Sequence, residues 1–229
     1  MLAAMLLLAS CGGSAPPPTA PAINHSLPQT VTFVNDAPAT TVWTPAIAAL
    51  NMAALQIETD TALAPLWGYT GGVTLVAGAT RHTAGFRQIM EATISEECSG
   101  ACIGADGCHC EDSYGPISFV RSGTSYAISL VESHELAEML GNPTGAATIT
   151  GPQGQSVLRE DVDPVVCLYK MVNVQGTNVA LADFVTPGWF GISCPQCAGQ
   201  FDWLGAGATA LQATPITQEF QTCPGIALP

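Results

Sequence analysis

The chain has 229 residues, 48% of them apolar and only 10% charged, with 5 basic against 18 acidic side chains and a formal net charge of -13. That length gives one domain with a sizeable core, and the composition is not that of a disordered polymer. Arg81, Arg87, Arg121, Arg159 and Lys170 are the whole cationic inventory, scattered and never adjacent, which excludes nucleic-acid binding and polybasic attachment to anionic lipid.

Residues 1–8 form an apolar run far below the roughly 20 residues a membrane-spanning helix needs. The run stops at Leu8-Ala9-Ser10-Cys11 and reads as a secretory signal over residues 1–10. This segment resembles the lipobox of bacterial lipoproteins, which implies lipidation of Cys11. Gly12 in the next position is by that resemblance compatible with an outer-membrane or surface destination. A signal cut elsewhere would leave Cys11 incidental. Residues 11–28 are Gly, Ser, Pro, Ala and Thr with few exceptions and suit a flexible tether. A single folded domain is expected over residues 29–229.

Within that domain, β-branched and aromatic alternation predicts a strand over residues 30–35. Thr44-Pro45 then sets an N-cap before a proline at the first helical position, and Ile47, Leu50, Ala54 and Ile57 recur at helical spacing. This helix should run to about Leu63 and stop before Pro65. Buried strands are expected at residues 73–77 and 117–120, on either side of a Gly- and Cys-rich segment. A second helix should start near residues 122–124 and reach Leu140, terminated by Gly141, Asn142 and Pro143. Its first half is apolar nearly all round, which predicts burial on more than one side. Short strands, turns and aromatic loops at residues 184–190 and 201–204 complete an α+β chain.

Nine cysteines in an exported chain point to disulfides. Without Cys11, the candidates are Cys98, Cys102, Cys108, Cys110, Cys167, Cys194, Cys197 and Cys223, and the four crowded into residues 98–110 imply a stapled loop. A zinc knuckle on Cys98, Cys102, Cys108, His109 and Cys110 is the competing reading, which export disfavours. His109 then reads as a loop residue. Cys194-Pro195-Gln196-Cys197 has thiol-redox spacing but no strand-to-helix context around it.

The chemistry concentrates in His134-Glu135-Leu136-Ala137-Glu138, in the last turns of the second helix. Residues four apart share a helix face, so His134 and Glu138 can grip one ion while Glu135, about 100° round the axis, holds a water against it. This is H-E-x-x-H with glutamate in place of the second histidine. A carboxylate ligand weakens the metal's Lewis acidity, so a weaker activity is expected, and an oxygen-rich shell would also admit Mn or Ca beside Zn. An i, i+4 surface pair is the plain alternative, but it belongs on a polar face. A third ligand is required. Thr144, ten residues after His134, is a poor one, whereas Glu160 follows 26 residues after His134 and opens Glu160-Asp161-Val162-Asp163. That segment provides three carboxylates close together as candidate ligands, with a solvated acidic turn as the alternative.

Several blocks together resemble an uncharacterised family of bacterial and phage-associated proteins with a zincin-like signature. They are Ala64-Pro65-Leu66-Trp67-Gly68, Ser133 to Leu140 followed by Asn142-Pro143, Glu160 to Pro164, Asp183-Phe184-Val185-Thr186-Pro187-Gly188-Trp189-Phe190, and Phe201-Asp202-Trp203-Leu204-Gly205. The family's helix motif reads S-H-E-L-x-E-M-L-x-D-P and its later block E-V-C-D. This chain has Asn142 for the Asp and Asp161 for the hydrophobic residue, while Glu160 and Asp163 match the acidic pair. The resemblance implies a zincin-like fold and a metal held by His134, Glu138 and one of Glu160 or Asp163. The expected fold class is α+β, a small mixed sheet with a buried active-site helix, with the disulfide-stapled loops that the cysteine spacing implies.

The leading expectation is an exported, lipid-anchored metallopeptidase acting on a peptide or protein substrate and touching the membrane only through its N-terminal anchor. Glu135 would be the catalytic general base, zinc the metal, the 117–120 strand the element that aligns an extended substrate, and Arg121, Tyr126 or Tyr169 an oxyanion donor. The alternative is a non-catalytic surface lipoprotein or binding protein whose carboxylates hold a structural cation, with Trp67, Trp189 and Trp203 in its core or at its binding surface.

Overall fold

The computed structural model describes residues 25–37, 43–94, 97–100, 102–124, 127–150, 156–162, 165, 168–198, 200 and 202–203. The expected signal segment, Cys11, Tyr126, Asp163, Cys167 and Cys223 lie outside the described residues. The architecture is mixed α+β. A five-stranded sheet is built from β1 (Gln29–Asn35), β2 (Val73–Gly78), β3 (Phe86–Glu91), β4 (Gly107–Asp112) and β5 (Gly115–Arg121) in the order β2-β1-β3-β5-β4. All its pairings are parallel except β4 against β5, a hairpin that puts one antiparallel strand at the edge.

The first helix, α1 (Pro45–Glu58), starts where Thr44 accepts the Ile47 N–H at 3.3 Å and Pro45 needs no donor. It does not stop before Pro65. The chain widens into a π-helical turn at Thr59–Leu63, in which the Ala64 N–H reaches back to the Thr59 carbonyl, and then makes α2 (Ala64–Leu66). Pro65 falls in that new first turn, where its missing N–H leaves no gap. The other helix, α3 (Ile128–Gly141), begins later than its composition suggests. The Ser122 N–H is taken by the Glu91 carbonyl at 2.7 Å, which keeps residues 122–124 at the end of the sheet.

Buried nearly all round from Val131 to Gly141, α3 lies between the sheet, at β4 and β5, and a second hairpin of β8 (Tyr169–Val174) and β9 (Thr177–Ala182). Two hydroxyls fix it there. Ser133 Oγ accepts the Ala182 N–H at 2.7 Å, and Ser129 Oγ donates to the Ala180 carbonyl at 2.7 Å. The main core joins Val31, Leu55, Leu63 and Leu75 to Leu136, Met139, Leu140, Leu181 and Phe184. A third small pair, β6 (Thr148–Thr150) with β7 (Ser156–Leu158), follows α3. Residues 25–28, the end of the expected tether, already touch the domain: the His25 ring stacks on Tyr69 at 4.1 Å and its carbonyl accepts the Gly71 N–H at 3.1 Å.

Strand β3 has no counterpart in the sequence reading because its six residues are all buried although three are polar. Each polar side chain finds a tertiary partner. Arg87 is forked onto Asp112 and onto the Arg81 and Gly115 carbonyls, Gln88 donates to the Glu132 carbonyl at 2.8 Å, and Glu91 accepts from Arg81 at 2.7 Å.

Glu132 is buried on α3 and accepts one hydrogen bond, from Asn51 of α1 at 2.7 Å. Burial outweighs that bond and pushes its carboxyl up to about 8 from 4.5. The folded state then keeps a proton that the unfolded chain gives up, so stability should fall between pH 4.5 and 8, by about 1.4 kcal/mol per pH unit at most, and level off above. Glu132→Gln retains an acceptor for Asn51 and should unfold in urea with a visibly flatter pH dependence across that window. Parallel slopes for the two proteins would show that Glu132 does not titrate there.

Candidate metal centre

The face of α3 turned to β4 carries Val131, Glu135 and Glu138. Strand alternation puts Gly107 and His109 on the facing side of β4, and Cys108 and Cys110 on the other. Those cysteines are tied to the preceding loop by the Cys102–Cys108 and Cys98–Cys110 disulfides, in a small apolar cluster with Val34, Ile89, Ile117 and Phe119. The sulfurs of Cys98, Cys102 and Cys108 lie within 4.8 Å of one another, but in this structure all are disulfide-bonded. The expected stapled loop is present, and the zinc-knuckle alternative is not formed.

His109 is not a loop residue. It is held in the β-ladder opposite Ser118 and is only 1% exposed. Its Nδ1 faces Glu138 Oε2 at 3.5 Å and Glu135 Oε2 at 3.7 Å, and its Nε2 faces Glu160 Oε2 at 3.4 Å. Glu138 turns its other oxygen to His134 Nε2 at 3.0 Å. The structure therefore brings His134, Glu135, Glu138 and Glu160 together around a histidine missing from the motif. A signal for His109 does exist in the alternation Gly107-Cys108-His109-Cys110-Glu111, followed by a turn with Gly115 and the apolar strand β5. Its low β propensity hides it.

The electrostatics are those of charges withdrawn from water. Burial alone pulls the His109 imidazole down, but Glu160, Glu135 and Glu138 together hold it well above the usual histidine range. Burial lifts Glu135 despite the two imidazoles beside it, whereas for Glu138 the pull of His134 and His109 overcomes burial and lowers the carboxyl. Burial, with the Glu138 charge, pushes Asp161 well above the carboxylate range. Glu135 Oε2 and both Asp161 oxygens are buried without a hydrogen-bond partner. Donor atoms of His109, Glu135 and Glu138 lie within 4.8 Å of one another, close enough to share one cation. Nitrogen and carboxylate donors of this kind suit Zn, with Mn as the next fit.

Around this group the chain leaves room by omission. A Cβ on Gly107 would stand 2.7 Å from Val131 Cγ1 and from Glu135 Cγ, and closer still to Glu135 Oε1. A Cβ on Gly141 would stand 2.9 Å from Asp161 Oδ2. Asn142, the residue after α3, turns its amide toward Glu160 Oε1 at 3.5 Å and accepts the Ala147 N–H at 3.0 Å. It thereby brings the Glu160 segment back to the helix end.

Other expected parts sit elsewhere. Strand β5 is paired on both edges, by β3 and β4, so it has no free edge for a substrate; the edge strand beside the helix is β4. Arg121 is ion-paired with Asp106, and Tyr169 lies on the exposed face of β8. Cys194 and Cys197 are disulfide-bonded on a single 3-10 turn. Trp67 and Trp189 pack in the main core, with Trp203 against it.

Comparison with family models, with curated proteins and with solved structures finds no match to this chain. The close approach of β4 to α3 gives a direct check on the site's construction. Gly107→Ala must push strand and helix apart and should lower unfolding stability by about 1–3 kcal/mol, the usual range for overpacking. Denaturant titration that finds the variant as stable as the parent would show that the approach is not tight.

Proposed function

We propose that this chain is an exported, lipid-anchored metallopeptidase of zincin type, in which a divalent cation, zinc by donor chemistry, sits between α3 and β4. The observation that carries the reading is the convergence of Glu135, Glu138, Glu160 and two histidines, each at most 5% exposed, with donor atoms of His109, Glu135 and Glu138 within 4.8 Å of one another and Glu135 Oε2 buried without a hydrogen-bond partner. Burying such a set without a cation is costly, since an unpaired buried carboxylate loses its hydration and gains nothing in return. The mixed sheet and the buried helix bearing H-E-x-x-E support this reading, and the stapled loop follows the cysteine spacing. Disulfides at Cys98–Cys110, Cys102–Cys108 and Cys194–Cys197 suit an oxidising compartment, as export and lipidation of Cys11 require.

His134 and Glu138 would hold the metal from the helix, with a third ligand from outside it, for which Glu160 and Asp163 are the candidates from sequence. The ion supplies Lewis acidity to a scissile carbonyl and acidity to a water. The rest falls to the chain. Glu135, on the next helical position and raised by burial above its ordinary carboxylate value, would accept the proton of the attacking water and return it to the leaving amine. Gly107 leaves the space that Glu135 occupies, and Asn142 holds the Glu160 segment against the helix end.

A structural cation with no bond broken is the second reading, and the near-complete burial of the group favours it. Both are separated by measuring bound metal in the purified chain by mass spectrometry and assaying a broad peptide library with Glu135→Gln as control. The expected result is about one zinc per chain, with cleavage that falls roughly 100-fold or more in the variant, the size of a lost general base. Bound metal with equal background cleavage in both proteins would leave the structural cation, and a chain that takes up no metal would remove both readings.

A further inference from the structure

We propose that His109 is the third protein ligand of this centre and that Glu160 orients it rather than ligating. The inference rests on the metal-centre reading and departs from the ligand set that the sequence suggests. Glu138 stands between two imidazoles, with one oxygen 3.0 Å from His134 Nε2 and the other 3.5 Å from His109 Nδ1. The second nitrogen of His109, Nε2, points the opposite way and meets Glu160 at 3.4 Å. A ligating imidazole characteristically gives its other N–H to a carboxylate, which fixes its tautomer and raises its basicity. Glu160 stands where that acceptor belongs. Among the described residues, donor atoms of His109, Glu135 and Glu138 all lie within 4.8 Å of one another, which places the His109 ring within reach of an ion held by Glu138.

Charge favours the same assignment. With Glu138 and Glu160 as ligands, two carboxylates would cancel the charge of a divalent ion and dull it as a Lewis acid. With His134, His109 and Glu138 the centre keeps one net positive charge, and the donor set is two imidazoles and one carboxylate, a set that supports catalytic zinc with an open position. The helix's substitution of glutamate for its second histidine is then compensated, because the missing imidazole arrives from the edge strand. Position as well as chemistry is provided for. His109 lies in a β-ladder between Cys108 and Cys110, whose disulfides fasten the far face of the strand, so the ring is carried on a rigid element.

Zinc K-edge X-ray absorption on the full chain loaded with one equivalent of zinc counts imidazoles without any mutation. Two imidazoles per zinc are expected, and one would overturn the assignment. Zinc affinity measured by competition with a chelator should fall about 100-fold or more in His109→Ala and less, about 10-fold, in Glu160→Gln, whose amide oxygen can still accept the imidazole N–H. Unchanged affinity in His109→Ala beside a large loss in Glu160→Gln would also overturn it and return the third ligand to Glu160. A parent chain that binds no zinc would defeat the metal-centre reading itself, which separates that failure from this one.

Discussion

Everything in this structure is arranged around the withdrawal of ionisable side chains from water between one helix and one edge strand. In a chain of 229 residues with 5 basic side chains, few cations are at hand to neutralise buried carboxylates, and Arg81, Arg87 and Arg121 are each ion-paired with an acidic residue outside the site. The positive charge at the site is supplied by two imidazoles. His109 and His134 draw Glu138 down while burial keeps Glu135 and Asp161 up, so the group is balanced among its own members. Such a balance is expensive to build from protons alone, and the proposed divalent cation would relieve it.

Construction of the fold follows from that demand. The sheet is parallel throughout except at β4, the strand that approaches α3 closely. Gly107 permits the approach, the β4–β5 hairpin sets the register, and the two disulfides hold the strand from its outer face. On the opposite flank of α3, Ser129 and Ser133 bind the β8–β9 hairpin through its backbone. The helix carrying the site is thus gripped on both sides, and the side chains on it have little freedom to leave their positions. Preorganisation of this kind is what a metal centre needs from its scaffold.

How much of this was legible in the sequence depended on whether a signal was local. The H-E-x-x-E helix announced itself through its apolar content and its Gly-Asn-Pro ending, and strands β1, β2 and β5 through β-branched runs. Strand β3 was hidden because Arg87, Gln88 and Glu91 look like surface residues and become core residues only when Asp112, the Glu132 carbonyl and Arg81 arrive from distant positions. Strand β4 was hidden because glycine, cysteine and histidine carry little β propensity, and its pairing is enforced by a hairpin and disulfides. The third side of the site therefore could not be read, although the acidic residue that faces it, Glu160, could. Pro65 misled for a related reason: a proline predicts a helix stop locally, and a π-helical turn removes the conflict.

The central claim is that the carboxylates and imidazoles enclosed between α3 and β4 are there to hold a divalent cation. Its most direct test is the melting temperature of the demetallated full chain as zinc is titrated in. A ligand that binds only the folded state stabilises it by RT ln(1 + [L]/Kd), about 4 kcal/mol at a thousandfold excess over Kd. The account predicts a melting temperature that climbs with the logarithm of zinc concentration and a rise that is lost in His134→Ala. A melting temperature indifferent to zinc, or a rise that survives in that variant, would contradict it.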